Sequence, residues 1–188
     1  MATAAKRLLT VEEFLEIEFD LEEDIARVEL DNGTIRMMAG GTLGHGRVQT
    51  NLLGTLFERL KGSPCRPYGS DVGIRTHDLS LRYPDVSVIC GREGPENDSL
   101  QQFSDPKLVV EVLSPTTRRK DETTKLHEYQ AMASLGAILY VDPENETVRL
   151  LTRRDRGGWH DFSLEKGSDV TVPALGVTLT WAEIFARS

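Results

Sequence analysis

The chain of 188 residues contains only two cysteines, Cys65 and Cys90, and they do not form a C-x-x-C pattern. This cysteine usage indicates neither a disulfide framework nor a cysteine-ligated metal. Long apolar runs are also absent: none approaches the roughly 20 residues needed to span a bilayer, and the N-terminus lacks the uninterrupted apolar segment of a secretion signal. We therefore expect no membrane partner and a cytoplasmic location.

An excess of positive charge is missing as well. The formal net charge is −8, which argues against a broad nucleic-acid-binding surface because phosphate groups are bound by basic footprints. It does not exclude a local one, since Arg118, Arg119 and Lys120 form a basic triplet. Acidic residues clustered between Glu12 and Asp24 account for much of the negative excess.

Several catalytic motifs are absent. The sequence has no G-x-S-x-G, Walker loop, G-x-G-x-x-G or H-E-x-x-H pattern, so nucleophilic serine or cysteine chemistry has no supporting residues. The hydrophobic content of 39% and the charged content of 28% are ordinary for a globular protein. We expect one domain over residues 1–188, with a loose tail over residues 1–9.

Two acidic residues accompany apolar runs in the middle of the chain. Asp85 opens the run 86–90, and Glu111 lies inside the run 108–113. Runs of this length, rich in β-branched residues, are typical of buried strands. A buried charge is costly unless it is paired or binds a metal. Two carboxylates on neighbouring strands therefore suggest an oxygen-ligand site for a hard divalent cation.

A helix predicted from about Lys120 to Ser134 follows the second of these strands. Asp121, Lys125 and Tyr129 are spaced i, i+4, i+8, so they share one helix face. Lys125 is a candidate to point back at the acids on the strands. Two acids and a lysine around a cation could hydrolyse a phosphodiester. A non-catalytic ion pair of Glu111 with Lys125 or Arg118 is the alternative.

The flanking segments have clear local signals. Thr10 and Glu13 form a capping box for a helix that starts at Val11. Asn32-Gly33 joins two alternating runs, 25–30 and 34–38, and predicts a β-hairpin. Further predictions are a helix from His45 to about Lys61, a strand over 67–76, a turn over 78–82, a loop over 91–105, a strand over 137–141 and a second hairpin of 147–152 with 159–164.

Three polar residues in these segments are secondary candidates for the site. Glu29 lies near the end of the first hairpin strand, where a solvent-facing side chain is the alternative. His45 lies at a helix start, where a cap or a surface group is more common. Asp71 lies near the start of a predicted strand, where turn or strand-edge aspartates are more common.

The order Pro84-Asp85, then Glu111 on the next core strand, resembles the PD-(D/E)XK nuclease superfamily. More narrowly, P-D-V-S-V, V-V-E-V-L-S-P-T-T-R-R-x-D and K-L-x-x-Y are similar to the Uma-type "putative restriction endonuclease" family. The resemblance covers most of the chain. It implies an α/β (α+β) fold: a restriction-endonuclease-like core with a mixed central β-sheet flanked by helices, and β-hairpins near both termini.

The sequence departs from the superfamily pattern at one position. The lysine expected two residues after Glu111 is Leu113 here. The resemblance implies a lysine that has moved to the following helix, and Lys125 is the matching position. It also places a glutamate before the hairpin turn and a histidine near the site, which match Glu29 and His45.

The implied function is a metal-dependent DNA endonuclease, and cutting both strands favours a homodimer. Asp85 and Glu111, with the Val112 carbonyl, would hold Mg²⁺ or Mn²⁺, and Lys125 would position or activate water. Asp121 and Tyr129 would orient Lys125, and Arg118, Arg119 and Lys120 would bind flanking phosphates. The alternative is a binding or regulatory module that keeps the nuclease fold without efficient cleavage.

Overall fold

The computed structural model of the chain describes residues 7–17, 27–38, 40–92, 94–114 and 121–187, without the side chains of Asp121 and Glu122. Its α-helices are α1 (Val11–Leu15), α2 (Leu43–Arg59), α3 (Leu126–Ala131) and α4 (Trp181–Phe185). Its strands are β1 (Val28–Asp31), β2 (Thr34–Met37), β3 (Cys65–Gly69), β4 (Gly73–His77), β5 (Ser80–Arg82), β6 (Val86–Cys90), β7 (Gln102–Phe103), β8 (Leu108–Val112), β9 (Ala137–Asp142), β10 (Thr147–Arg153), β11 (Trp159–Leu164), β12 (Val170–Val172) and β13 (Val177–Leu179).

The largest sheet has six strands in the order β11-β10-β9-β8-β6-β3. Strands β8 and β9 run parallel, and the other neighbours run antiparallel. Every residue of β8 and of β9 is buried, which is why both segments are nearly continuous apolar runs. The predicted mixed central sheet is therefore confirmed.

A second sheet has five strands in the order β2-β1-β5-β4-β7. Its first hairpin turns at Asn32 and Gly33, which both have positive φ, 47° and 74°. Such a two-residue turn requires positive φ at both positions, and Asn-Gly accepts it with little strain. The two hairpins predicted near the chain ends, β1–β2 and β10–β11, are both confirmed.

The two faces of the six-stranded sheet are covered by different helices. Val48, Leu52 and Leu56 of α2 pack against one face, together with the small β12–β13 sheet and α4. Leu126 and Tyr129 of α3 pack against the other face. Helices α2 and α3 therefore lie on opposite faces of the six-stranded sheet. Among the described residues, no helix is long and apolar enough to cross a bilayer.

Some local predictions need correction. The strand predicted over 67–76 is two strands, β3 and β4, and the turn predicted over 78–82 contains β5. The loop predicted over 91–105 contains β7. All three residues of β5 are buried. Strand β5 pairs with β4 in a short hairpin and with the distant strand β1, and short sequence patterns do not reveal the second of these contacts.

The chain around α3 also differs from its prediction. A π-helical turn, Asp121–Lys125, precedes α3, which ends at Ala131. In a π-helical turn the hydrogen bonds span five residues rather than four, so the i, i+4 spacing does not mark one full turn there. At the other end of the chain, part of the predicted loose tail is attached: Leu9 donates its N–H to the Gly33 carbonyl at 3.0 Å.

The two cysteines form a disulfide, which corrects the expectation drawn from their spacing. Cys65 and Cys90 are partners in the antiparallel pairing of β3 with β6. The register of these strands brings together residues 25 positions apart. Because β3 is the edge strand of the six-stranded sheet, the bond ties this edge to a central strand.

We predict that the native chain has no reactive thiols and is stabilised by this bond. Closing a loop of 25 residues should contribute about 3 kcal/mol to the free energy of unfolding. Thiol titration of the denatured, unreduced protein tests the bond, and chemical denaturation of wild type beside the Cys65→Ser/Cys90→Ser variant tests its contribution. Two titratable thiols in the unreduced protein would contradict the bond.

Candidate functional site

Asp85 and Glu111 lie side by side where two central strands meet. Asp85 immediately precedes β6, and Glu111 lies in β8, which pairs with β6 where Val86 is opposite Val110. Both carboxylates line one cleft. The Val112 N–H donates to Asp85 Oδ2 at 2.7 Å. The structure therefore brings the two predicted acids together.

Glu111 is a nearly buried carboxylate, 4% exposed. Its Oε1 accepts hydrogen bonds from Lys125 Nζ at 3.1 Å and from the Tyr129 hydroxyl at 2.7 Å. These charged and neutral donors offset the cost of burying the carboxylate. Complete burial, reinforced by the Glu111 charge, raises the pKa of Tyr129 well above its usual range. The hydroxyl therefore keeps its proton and donates it in the hydrogen bond to Glu111.

Lys125 is buried between two carboxylates. Besides its contact with Glu111, its Nζ lies 3.9 Å from Glu29 Oε2, and the Lys125 side chain is 7% exposed. Glu29 itself is 3% exposed, so the solvent-facing alternative for this residue is wrong. Strand β1 of the second sheet thus supplies a carboxylate to the site on the first sheet.

His45 reaches Asp85 from α2, which packs on the other face of the six-stranded sheet from α3. It lies in the first turn of α2, where its backbone N–H donates to the hydroxyl of the N-cap residue Thr42 at 3.2 Å. Its Nε2 lies 3.2 Å from Asp85 Oδ1. Hydrogen bonding to the Asp85 carboxylate raises the pKa of His45, although partial burial opposes the charged form.

The loop before α2 leaves room for this imidazole. A Cβ built on Gly41 would lie 2.8 Å from His45 Nδ1, which is too close for a real contact. Glycine at this position therefore permits the ring to sit where it can reach Asp85. The resemblance had placed the histidine near the site, but the sequence alone gave no reason for this glycine.

Arg82 is the main site residue that sequence reasoning missed. Its side chain is fully buried, and it contacts Glu29 at 3.2 Å, Asp31 at 2.7 Å and Glu128 at 2.6 Å. Burial works against its charge, but hydrogen bonding and attraction by Glu128 and the other carboxylates hold the pKa of Arg82 above its usual range. An arginine in a short segment predicted as a turn gave no signal of burial.

The other candidates lie apart from this cluster or outside the described residues. Asp71 lies in the turn between β3 and β4, where its side chain is 86% exposed and pairs with Arg27 at 3.0 Å. The backbone of Asp121 starts the π-helical turn, but its side chain is not described. Arg118, Arg119 and Lys120, predicted to bind phosphate, also lie outside the described residues.

The cluster opens into a cleft of about 500 Å³. Its floor carries the three carboxylates, His45 and Lys125, together with Val112 and Ser114. Further lining residues come from the segment before β1, from the end of β2, from the loop before α2 and from the turn after β3: Arg27, Met37, Met38, Gly40, Gly41, Thr42 and Ser70. Both sheets and α2 therefore contribute to one concave surface, which is the usual form of a small-ligand or catalytic site.

The donor atoms in this cleft suit a hard divalent cation. Mg²⁺ and Mn²⁺ prefer oxygen ligands, and Asp85 and Glu111 present carboxylate oxygens from neighbouring strands. In the described part of the chain, no three His, Cys, Asp or Glu side chains cluster tightly enough to hold a metal by themselves. Mg²⁺ commonly binds through one or two carboxylates and keeps water or phosphate oxygens as its other ligands. The pair fits that arrangement.

Comparison with known proteins identifies similar sequences over most of the chain. A family model described as "Uma2: Putative restriction endonuclease" matches residues 11–182. Two relatives come from Synechocystis sp. (strain ATCC 27184 / PCC 6803 / Kazusa). The uncharacterized protein slr1290 is 29% identical over 171 residues, covering 90% of this chain and 87% of that protein. The uncharacterized protein sll1609 is 28% identical over 143 residues, covering 76% and 79%.

A solved structure has the same fold. The crystal structure of "a putative nuclease belonging to DUF820" from Anabaena variabilis ATCC 29413 matches with a TM-score of 0.74 at 21% identity, covering 95% of this chain and 98% of that chain. At this identity the likeness concerns the fold. The predicted restriction-endonuclease-like α+β core is thereby confirmed.

We predict that His45 titrates above its ordinary pKa of about 6.5 in metal-free buffer, because protonation strengthens its bond to Asp85. With a raised folded pKa, the stabilisation is fully present below the unfolded pKa and is lost as the pH rises through the folded pKa. NMR titration of His45 measures the shift. Asp85→Asn should lower the pKa, and the exposed variant Asp71→Asn should leave it unchanged; equal values in all three proteins would contradict the pairing.

Proposed function

The chain belongs to the Uma2 family, described as "Putative restriction endonuclease", and on that premise we propose that it is a divalent-metal-dependent endonuclease that hydrolyses DNA phosphodiester bonds. The observation that carries the proposal is that Asp85, just before β6, and Glu111, in the neighbouring strand β8, line one cleft, with Lys125 Nζ 3.1 Å from Glu111. These residue types in one cleft can neutralise a phosphate and activate water beside it.

Asp85 and Glu111 would hold Mg²⁺ or Mn²⁺, which when bound polarises a phosphate oxygen and lowers the pKa of a bound water. The Val112 N–H fixes the Asp85 carboxylate. The Tyr129 hydroxyl fixes the Glu111 carboxylate. Lys125 supplies an ammonium beside Glu111, where it can orient the attacking water or stabilise negative charge that develops on the phosphate.

The buried position of Lys125 bears on the lysine that the superfamily pattern expects two residues after Glu111, where this chain has Leu113. Leu113 follows Glu111 by two residues and packs in the core of the α3 face, so it brings no charge to the site. Lys125 comes from the π-helical turn instead, and its Nζ contacts the acid on the strand. This contact supports the proposal that the lysine has moved to the helix.

A second candidate function is a binding or regulatory module with the nuclease fold and little cleavage. Two observations favour it. Lys125 already contacts two carboxylates, Glu111 and Glu29, as it would in a purely structural ion pair. The chain also carries a net charge of −8, which repels the nucleic-acid backbone. Metal binding without cleavage of any nucleic acid would favour this alternative.

Further parts of the proposal concern the setting of the reaction. Cleavage of both DNA strands would require two sites, and a homodimer would supply them. Arg118, Arg119 and Lys120 would bind flanking phosphates, and Asp121 would help orient Lys125. We further propose a single domain and a cytoplasmic location. The Cys65–Cys90 bond weighs against a reducing compartment such as the cytoplasm. Cell fractionation would decide between a cytoplasmic location and a non-reducing compartment.

We predict one divalent-metal site that needs both strand acids. Isothermal titration with Mn²⁺ should show binding by wild type and its loss in Asp85→Asn and in Glu111→Gln, because each variant removes a charged oxygen ligand. Asp71→Asn, an exposed acid outside the cleft, is the matched control and should bind normally. Normal affinity in either strand variant would refute shared ligation.

We also predict that Lys125 is needed for turnover more than for metal binding. Lys125→Met keeps most of the side-chain volume and should slow metal-dependent DNA cleavage by about 10²-fold or more, the usual scale for one electrostatic or acid–base group. Mn²⁺ affinity should change little, because an ammonium is not a ligand. Plasmid cleavage with Mg²⁺, and with EDTA as the metal-free control, measures the rate.

Two other lysines sharpen this experiment. Lys61→Met, at an exposed lysine that contacts Glu58 and the Phe57 ring away from the cleft, should cleave like wild type. Lys120→Ala should weaken DNA binding and reduce its salt dependence. If Lys120→Ala abolishes turnover while Lys125→Met does not, the lysine of the site has been assigned to the wrong residue.

A further inference from the structure

Arg82 is a fully buried arginine next to the proposed site, and the mechanism above gives it no role. Its guanidinium makes two hydrogen bonds to Glu128, from Nε at 2.8 Å and from one terminal nitrogen at 2.6 Å. That terminal nitrogen also contacts Asp31 at 2.7 Å. A planar guanidinium held in this way has little freedom to move. Its place is fixed by α3 and β1 together.

Glu128 is itself anchored, which strengthens this constraint. Its Oε2 accepts a hydrogen bond from the Thr76 hydroxyl at 2.8 Å, and its Oε1 accepts one from the Ser80 hydroxyl at 3.5 Å. Both donors lie on the second sheet, in β4 and β5. The guanidinium therefore sits in a cage that joins α3 to three strands of that sheet.

Glu29 lies between this fixed guanidinium and Lys125. One of its oxygens accepts a hydrogen bond from Arg82 at 3.2 Å, and the other lies 3.9 Å from Lys125 Nζ. Lys125 is closer to Glu111, at 3.1 Å. The side chains form a buried row of alternating charge that ends in the cleft. Charges in such a row interact strongly because little water screens them.

We infer that Arg82 is a positioning residue that acts through Glu29 to hold the Lys125 ammonium beside Glu111. A lysine has a flexible four-carbon stem, so its charge must be located by its neighbours. Arg82 holds Glu29 back from a closer pair with Lys125, and Glu29 in turn keeps Lys125 from leaving the cluster. The effect on rate rests on the proposed nuclease function; the effect on the position of Lys125 does not.

The sharpest variant is Glu29→Gln. Its amide oxygen can still accept from Arg82, while the charge that faces Lys125 is removed, so the fold should be retained, which a melting curve checks. Labelling with an acylating reagent, read by peptide mass spectrometry, should show Lys125 reacting severalfold faster than in wild type. The turnover number should fall by about 10- to 100-fold, the scale of a small misplacement of a reacting group.

Asp31→Asn is the matched control. Asp31 lies two residues after Glu29 on the same strand and also contacts Arg82, but it is not among the residues that line the cleft. Because Glu128 still holds the guanidinium through two hydrogen bonds in this variant, the labelling of Lys125 and the turnover number should stay within about twofold of wild type. If Asp31→Asn and Glu29→Gln change labelling equally, the role of the network is structural and the inference fails.

A double-variant cycle separates positioning from general damage. If Glu29 acts through Lys125, then Glu29→Gln should slow wild type but have no further effect in the Lys125→Met background, because coupled residues are not additive. Arg82→Lys, which keeps a charge but loses the fork, should let Glu29 pair more closely with Lys125, so Lys125 should label no faster than in wild type while turnover falls. Full additivity, or unchanged labelling in Glu29→Gln, would overturn the inference.

The same experiment distinguishes a failure of the inference from a failure of the proposed function. If wild type cleaves no DNA with Mg²⁺ or Mn²⁺, the proposed function fails, and the labelling of Lys125 still decides whether Arg82 and Glu29 position it. If wild type cleaves and Glu29→Gln leaves both rate and labelling unchanged, the nuclease function stands and the positioning role is refuted.

Discussion

The structure depends on how the charge of one buried carboxylate, that of Glu111, is offset by neighbouring groups. Glu111 lies on a strand that is buried at every position, so water cannot solvate its charge and protein groups must do so. The helix after β8 provides them, through Lys125 and Tyr129. The packing of α3 on this face of the sheet is therefore required by charge as well as by its apolar residues.

That compensation has consequences further from the strand. Placing Lys125 next to Glu111 buries a second charge, and Glu29 from the other sheet lies within 3.9 Å of it. Glu29 in turn contacts Arg82, whose remaining carboxylate partners come from β1 and α3. Electrostatic contacts thus connect the two sheets across the site, in addition to the hydrophobic clusters on each side. A buried network of this kind is stable only when its members are satisfied together.

The sequence predicted those parts whose signal is local. The Asn-Gly hairpin, the capping box at Thr10 and the apolar runs that flank Asp85 and Glu111 all carry their structure in adjacent residues, and each was found where expected. The approach of Lys125 to Glu111 was also predicted, because the resemblance and the spacing on the helix pointed to the same residue.

The missed parts depend on contacts between distant segments. Arg82 is buried by residues 46 to 53 positions away, and Cys65 meets Cys90 through the pairing of two strands. No local pattern encodes either contact. The same is true of Gly41, where a glycine leaves room for the imidazole ring of His45. In the sequence alone, His45 looks like an ordinary residue at a helix start.

The connection between β5 and β6 has a mechanical consequence. Arg82 ends one sheet's strand, Asp85 precedes the other sheet's strand, and two residues, Tyr83 and Pro84, separate them. The proline ring fixes one of the few backbone rotations in this connection. The connection is therefore short and stiff, and does not act as a hinge. A displacement of the Arg82 guanidinium from its carboxylate partners would therefore also shift Asp85 in the cleft.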